Sequence, residues 1–159
     1  MKSVPSLKDK ALRINLNENI YGTFAEIGAG QETVRQFFRA GGASGTIAKA
    51  MSAYDKSFSD AIYGIENDRR YVTENRLRKM LTHEVRLIEE RISRDDNPNK
   101  MFFSYANTVS TIDFAKRYKG HGWMGLRYQI DPNEAYNEII LHLRFKESDA
   151  RLQQETLGK

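Results

Sequence analysis

Cysteine is absent from the 159 residues, which excludes disulfides, thiol catalysis and Cys-ligated zinc or iron–sulfur centres. Proline occurs three times and tryptophan once. No run approaches the ~18 consecutive apolar residues of a membrane helix. Met1 to Leu12 mixes charged and small side chains and lacks the apolar centre of a secretory signal. These absences point to a cytoplasmic protein with no membrane partner. Histidine is scarce too, at three residues, and His83-Glu84-Val85-Arg86-Leu87 lacks the second histidine of a His-Glu-x-x-His zinc site. His83 reads as a surface residue, and no metal site is expected.

What is present suffices for one domain with its own core. Apolar residues make up 40%, with 8 Phe and 8 Tyr, enough to offset the entropy of ordering the chain. The net charge is +4, from 25 Lys+Arg against 21 Asp+Glu. The cations are interspersed with acids, as in Arg86-Leu87-Ile88-Glu89-Glu90-Arg91. A nucleic-acid binder concentrates its cations in a stripe, so duplex nucleic acid is not the expected partner.

Residues 1–18 read as a polar arm, with Pro5 against an early helix. Residues 19–27 alternate as a strand that ends in Gly28-Ala29-Gly30. A helix is expected over 31–40, then a Gly/Ser turn at 41–45. A second helix is expected over 46–62, carrying Ile47, Met51, Tyr54, Phe58 and Ile62 on one stripe. The clearest helix runs from Thr73 to Ser93, with Thr73 as N-cap and Leu77, Leu81, Val85, Ile88 and Ile92 buried. Strands are expected over 101–109, 123–130 and 138–146, with a short helix around 112–118. Residues 148–157 read as a helix barely begun. The fold class is therefore α+β or α/β, a helical first half on a mostly antiparallel sheet of about four strands. The expected organisation is an arm (1–18), one domain (19–146), and the start of a helix belonging to a longer protein (147–159).

Three features carry chemistry. The strand–Gly28-Ala29-Gly30–helix junction exposes backbone amides at a helix start, a cradle for phosphate or carboxylate; Ser44 and Gly45 before the next expected helix offer a second. The competing reading is that these glycines cap helices and make tight turns. Glu26-Ile27-Gly28-Ala29-Gly30 superficially resembles the first motif of S-adenosylmethionine-dependent methyltransferases, but three helices in succession after one strand do not match that fold. Thr33 stands where Gly-x-Gly-x-x-Gly needs its last glycine. The C-terminal hairpin places Arg127, His142 and Arg144 on one face, a cationic surface for an anion, or simply the solvated side of a sheet. His121, between Gly120 and Gly122, and Glu26, at a strand end where α/β sheets bind ligands, are the candidate proton-transfer residues. Asp60, Glu138 and Lys146 lack the Glu-x-Lys spacing of a nuclease.

The segments 18–32, 42–49, 51–55, 58–64 and 121–125 resemble an uncharacterised group of bacterial and plastid-related proteins. The resemblance spans the chain from Glu18 onward. Its members are longer, so this chain matches their N-terminal part. Names attached automatically to the group include nicotinate-nucleotide (nicotinamide mononucleotide) adenylyltransferase and TonB-dependent receptor. Neither fits the residues. The first expected strand is followed by Gly28-Ala29-Gly30-Gln31-Glu32, without the His-x-Gly-His type motif of an adenylyltransferase, and a receptor needs many lipid-facing strands. The resemblance carries over no catalytic residue and no cofactor.

The residues favour an anion- or nucleotide-phosphate-binding domain, with a phosphorylated small molecule or nucleotide as partner. Gly28, Gly30, Ser44, Gly45, Arg127, His142 and Arg144 would bind, and Glu26 and His121 would handle protons. An interaction or homo-oligomerisation module is the alternative, and RNA binding through the basic hairpin is the second. Whether a reaction is catalysed stays open at this level.

Overall fold

The computed structural model describes residues 3–159. The region read as an arm contains α1 (Leu7–Asn15), because Ser6 Oγ accepts the Asp9 amide while Asp9 accepts the Ser6 amide. Pro5 stands ahead of that cap, where it interrupts no helical hydrogen bond. β1 (Ile20–Gly28) and α2 (Glu32–Ala40) follow nearly as expected. Asn15 Nδ2 donates to the Phe37 and Gly41 carbonyls, both at 2.9 Å, tying α1 to the end of α2.

The helix expected over 46–62 is instead β2 (Ile47–Ser52) and α3 (Lys56–Tyr63). Ile47, Lys49 and Met51 are half-buried while Ala48, Ala50 and Ser52 are exposed. A spacing of four satisfies a period of two as well as 3.6, so Ile47 and Met51 fit either element. Pairing with β1 draws the segment into the sheet, and Asp55 starts α3 by accepting the Phe58 amide at 2.9 Å.

α4 (Glu74–Arg91), β3 (Met101–Ser110), β4 (His121–Tyr128), β5 (Asn137–Arg144) and α5 (Ala150–Leu157) complete the order. The short helix expected around 112–118 is an irregular connection, where Asp113 Oδ1 accepts the Arg117 and Tyr118 amides. The five strands lie in the order β2-β1-β3-β4-β5. β1 is parallel to β2 and β3, whereas β3–β4 and β4–β5 are antiparallel. The sheet is thus mixed and has five strands, which corrects the expectation of about four mostly antiparallel ones; the α+β class stands. Among the described residues no helix is long and apolar enough to cross a membrane.

Both faces of the parallel half are covered. One carries Phe24, Val34, Phe103 and Tyr105 under α2, and the other carries Ala25, Leu77, Met80, Leu81 and Ala106 under α4. α4 buries Leu77, Leu81, Val85 and Ile88 of the expected stripe, while Ile92 lies just past its end and is half-buried; α4 also buries Arg76 and Glu84. These charges are paired: Arg76 with Asp60 at 2.8 Å, Glu84 with Lys49 at 2.6 Å and with the Tyr63 hydroxyl at 2.8 Å.

α5 is anchored by the fully buried Gln153. Its Oε1 accepts the Ile112 amide at 2.7 Å, and its Nε2 donates to the Lys119 and Glu147 carbonyls at 3.1 and 2.7 Å. One side chain thereby holds both ends of the β3–β4 connection. Gln153→Ala should lower stability by about 2–3 kcal/mol through the buried groups it strands, read as a shifted urea midpoint. The half-buried neighbour Gln154, replaced by Ala, should stay within about 0.5 kcal/mol of wild type.

Candidate functional site: a basic pocket and a buried carboxyl

The C-terminal ends of β1, β2 and β3 share one end of the sheet with the start of β4 and the end of β5. In open α/β sheets, the crevice beyond the carboxyl ends of the strands receives ligands where the crossovers diverge. Here the chain fills that crevice. The Ala29 amide donates to the Val109 carbonyl at 3.1 Å. Gln31 Nε2 donates to the Gly28 carbonyl at 2.6 Å and to Ser52 Oγ at 3.0 Å. Gly28 has φ +78°, and a Cβ there would overlap the Val109 carbonyl; a Cβ on Gly30 would overlap Asn107 Oδ1. At the start of α2, Thr33 Oγ1 donates to the Leu157 carbonyl at 3.4 Å, and Gly158 lies against Glu32. Gly28 and Gly30 are thus engaged in joining β1, α2 and β3. Ser44 and Gly45 are exposed at the other end of the sheet, preceding β2 beside Gly22. The two Gly-rich turns do not meet.

Glu26 sits at this filled end, paired in register with Asn107 across β1 and β3. It is 2% exposed and Asn107 is fully buried. Asn107 Nδ2 donates to the Gly30 carbonyl at 2.8 Å and to the Tyr105 hydroxyl at 3.0 Å, which in turn donates to Thr33 Oγ1 at 2.9 Å. Glu26 Oε1 and Asn107 Oδ1 have no hydrogen-bond partner. Burial pushes the Glu26 carboxyl up to about 7, against a partial opposing pull from Arg35.

A second group of residues forms an open pocket. His121 begins β4, and His142 and Arg144 lie near the end of β5, with His121 opposite Arg144 and Trp123 opposite His142. His121 Nδ1 and His142 Nε2 are 3.0 Å apart, so one imidazole donates to the other. The Trp123 ring stacks on His142 at 4.5 Å and 28°. Tyr118, Lys119 and Phe145 complete the walls around about 360 Å³. Burial, then the neighbouring His142 and Arg144, holds His121 below the ordinary imidazole value.

Of the hairpin residues expected on one face, His142 and Arg144 join His121. Arg127 lies on the same face at the far end of β4, bonded to Glu138 at 3.0 Å and 5.6 Å from the Tyr136 ring. His83 lies on α4, half-buried and edge-on to the Tyr63 ring at 5.3 Å. Tyr118 and Lys119 were not legible as site residues, because irregular connections carry no periodicity; Trp123 lies on β4, and only the pairing with β5 sets it against His142. Among the described residues no group of three or more His, Cys, Asp or Glu could hold a metal ion.

No family model and no curated protein matches the chain. Solved structures do. The chain is similar to the competence-damaged protein (CinA) superfamily protein from Escherichia coli, at 12% identity and TM-score 0.64, covering 99% of this chain and 88% of that one. It is similar to the competence/damage inducible protein CihA from Agrobacterium tumefaciens, at 14% identity and TM-score 0.62, covering 99% and 93%. The CinA superfamily protein from Enterobacter cloacae matches at 12% and 0.60, covering 98% and 88%. At such identities the likeness establishes the fold: a CinA-like α+β arrangement. The five-stranded sheet lends no support to the TonB-dependent receptor name.

Glu26 makes stability depend on pH in a definite direction. Its folded value, about 7, exceeds the ordinary glutamate value of 4.5, so the folded state binds the proton more tightly. That stabilisation is complete below about 4.5 and is lost as pH rises through 7. Glu26→Gln, which stays neutral, should be more stable than wild type by about 3 kcal/mol at pH 9 and nearly equal to it at pH 4.5. Urea unfolding at the two pH values measures this.

Proposed function

We propose that this chain is an anion-binding domain that takes a phosphorylated small molecule or nucleotide in the pocket of Lys119, His121, His142 and Arg144. The observation that carries the reading is the imidazole pair, 3.0 Å apart, in a lining that also holds Lys119 and Arg144 and no carboxylate. Cations brought together without acids repel one another, and an anion relieves that repulsion. Arg144 offers a planar fork suited to phosphate or carboxylate, and Lys119 a point charge. Tyr118 and Phe145 supply the apolar wall that a ring or sugar would need. A CinA-like fold is compatible with small-molecule binding.

The imidazoles give the pocket a proton dependence. His121 is held below its ordinary value by burial and by the neighbouring His142 and Arg144, so an anion arriving in the pocket favours its taking up a proton. Affinity should therefore rise as pH falls. Glu26, Gly28 and Gly30 would act behind this pocket, through the strands that position it.

A thermal-shift and calorimetric panel of phosphate, pyrophosphate and mono- and trinucleotides, run at pH 6 and pH 8, tests the reading. At about 100 times the dissociation constant a ligand adds about 2.7 kcal/mol, a shift of several degrees. Binding should be selective and about tenfold tighter at pH 6. Arg144→Ala and His142→Ala should each weaken it about tenfold or more, and Arg127→Ala should leave it unchanged. A flat panel at both pH values defeats the proposal.

A further inference from the structure

Cations that are interspersed with acids along the sequence are gathered at one place by the fold. Lys116, Arg117 and Lys119 stand exposed on the connection between β3 and β4. The pairing of His121 with Arg144 sets the end of β5 beside that connection. Gln153 binds the Lys119 and Glu147 carbonyls together, which brings the exposed Lys146 to the same place. The carboxylates of residues 111–121 and 142–147 are already engaged. Asp113 accepts the Arg117 and Tyr118 amides, and Glu147 accepts the Thr156 hydroxyl at 2.6 Å. The local potential therefore exceeds what a net charge of +4 spread evenly over the molecule would give.

The same surface carries a file of rings. Tyr118 lies 6.1 Å from His121, His121 5.2 Å from His142, and His142 4.5 Å from Trp123, centroid to centroid. Phe114, on the same connection, is wholly exposed, and Tyr118 is 45% exposed. A phenyl ring left in water carries a hydration cost that a stacking partner removes. Rings interleaved with cations are what hold a single nucleic-acid strand, because cations track its phosphates while its bases stack on aromatic faces. A duplex hides its base faces and gains only the electrostatic part.

We infer that this surface binds a single-stranded nucleic acid. One phosphate of the strand enters the basic pocket, and the neighbouring nucleotides run over Tyr118, Phe114, Lys116 and Arg117. Phosphates and base faces are common to both sugars, so the surface takes the strand whichever sugar it carries. The inference rests on the pocket as an anion site and adds the connection beside it, whose Phe114, Lys116 and Arg117 lie outside the pocket lining.

Fluorescence anisotropy with a labelled oligouridylate of about 12 nucleotides, beside calorimetry with uridine monophosphate, tests it on the whole chain. The strand should bind about tenfold or more tightly than the mononucleotide, and than an RNA duplex of equal length. Its affinity should fall with salt at a log–log slope of about −3, from ~0.7 per phosphate over about four contacts. Phe114→Ala, and Lys116→Gln combined with Arg117→Gln, should each remove most of that gain and leave uridine monophosphate binding unchanged. The double variant should also halve the salt slope. All three positions are exposed, so both variants should fold, with urea midpoints matching wild type. Mononucleotide binding with no gain for the strand overturns this inference alone; loss of both overturns the pocket reading with it. Strand binding that survives both loop variants, or Arg144→Ala, overturns it too, as does equal binding of the duplex. Phosphatidylserine vesicles that bind wild type but not Phe114→Ala, with no strand bound, overturn it and give the loop to a membrane surface.

Discussion

The rest of the molecule hangs on the parallel pairing of β1 with β3. Ile20 through Gly28 match Met101 through Val109 position for position, joining segments that are far apart in the chain. Neither strand can be satisfied alone, because both are buried over most of their length on both faces. Phe24 is the hinge of the packing, with Phe37, Tyr105 and Phe103 rings at 5.1, 5.3 and 5.6 Å. Gly22 makes the register possible, since any side chain there would run into the Phe103 ring and backbone. Parallel neighbours need crossovers, and these dictate where α2 and α4 go: one on each face.

The same pairing settles where a ligand can sit. It brings Glu26 beside Asn107 and closes the crevice between the strand ends with Gly28, Gly30 and the end of α5. A filled crevice leaves the antiparallel side as the open one. There, registers alone assemble the pocket: β3–β4 sets His121 opposite Ser110, and β4–β5 sets His142 opposite Trp123 and Arg144 opposite His121. Gln153 joins the two regions, because the helix that covers the crevice also fixes the connection bearing Lys119.

Buried polar groups divide the molecule into two kinds of interior. Under α4, the charges of Arg76 and Glu84 are each matched by an opposite charge, as burial in a poor dielectric demands. Under α2, Glu26 has no such partner, and its carboxyl holds its proton instead. The α4 face therefore buries ion pairs within an aliphatic core, and the α2 face buries aromatics with the Glu26 carboxyl at their end.

Local pattern by itself determined much of this protein: the β1 alternation and its sidedness, the N-cap at Thr73, the buried stripe of α4, the three later strands within two residues, and the common face of Arg127, His142 and Arg144. These depend on neighbours two to four positions apart, which a sequence displays directly. Tertiary structure alone decided that residues 47–52 join the sheet, because their spacing fits both periods and only β1 selects between them. It decided that His121 meets His142 while Arg127 stands apart, because a face says nothing about position along a strand. It decided, too, that the two Gly-rich turns lie at opposite ends of the sheet and that Glu26 is sealed in. Those outcomes rest on pairings between distant segments, and such pairings leave no periodic trace in the chain.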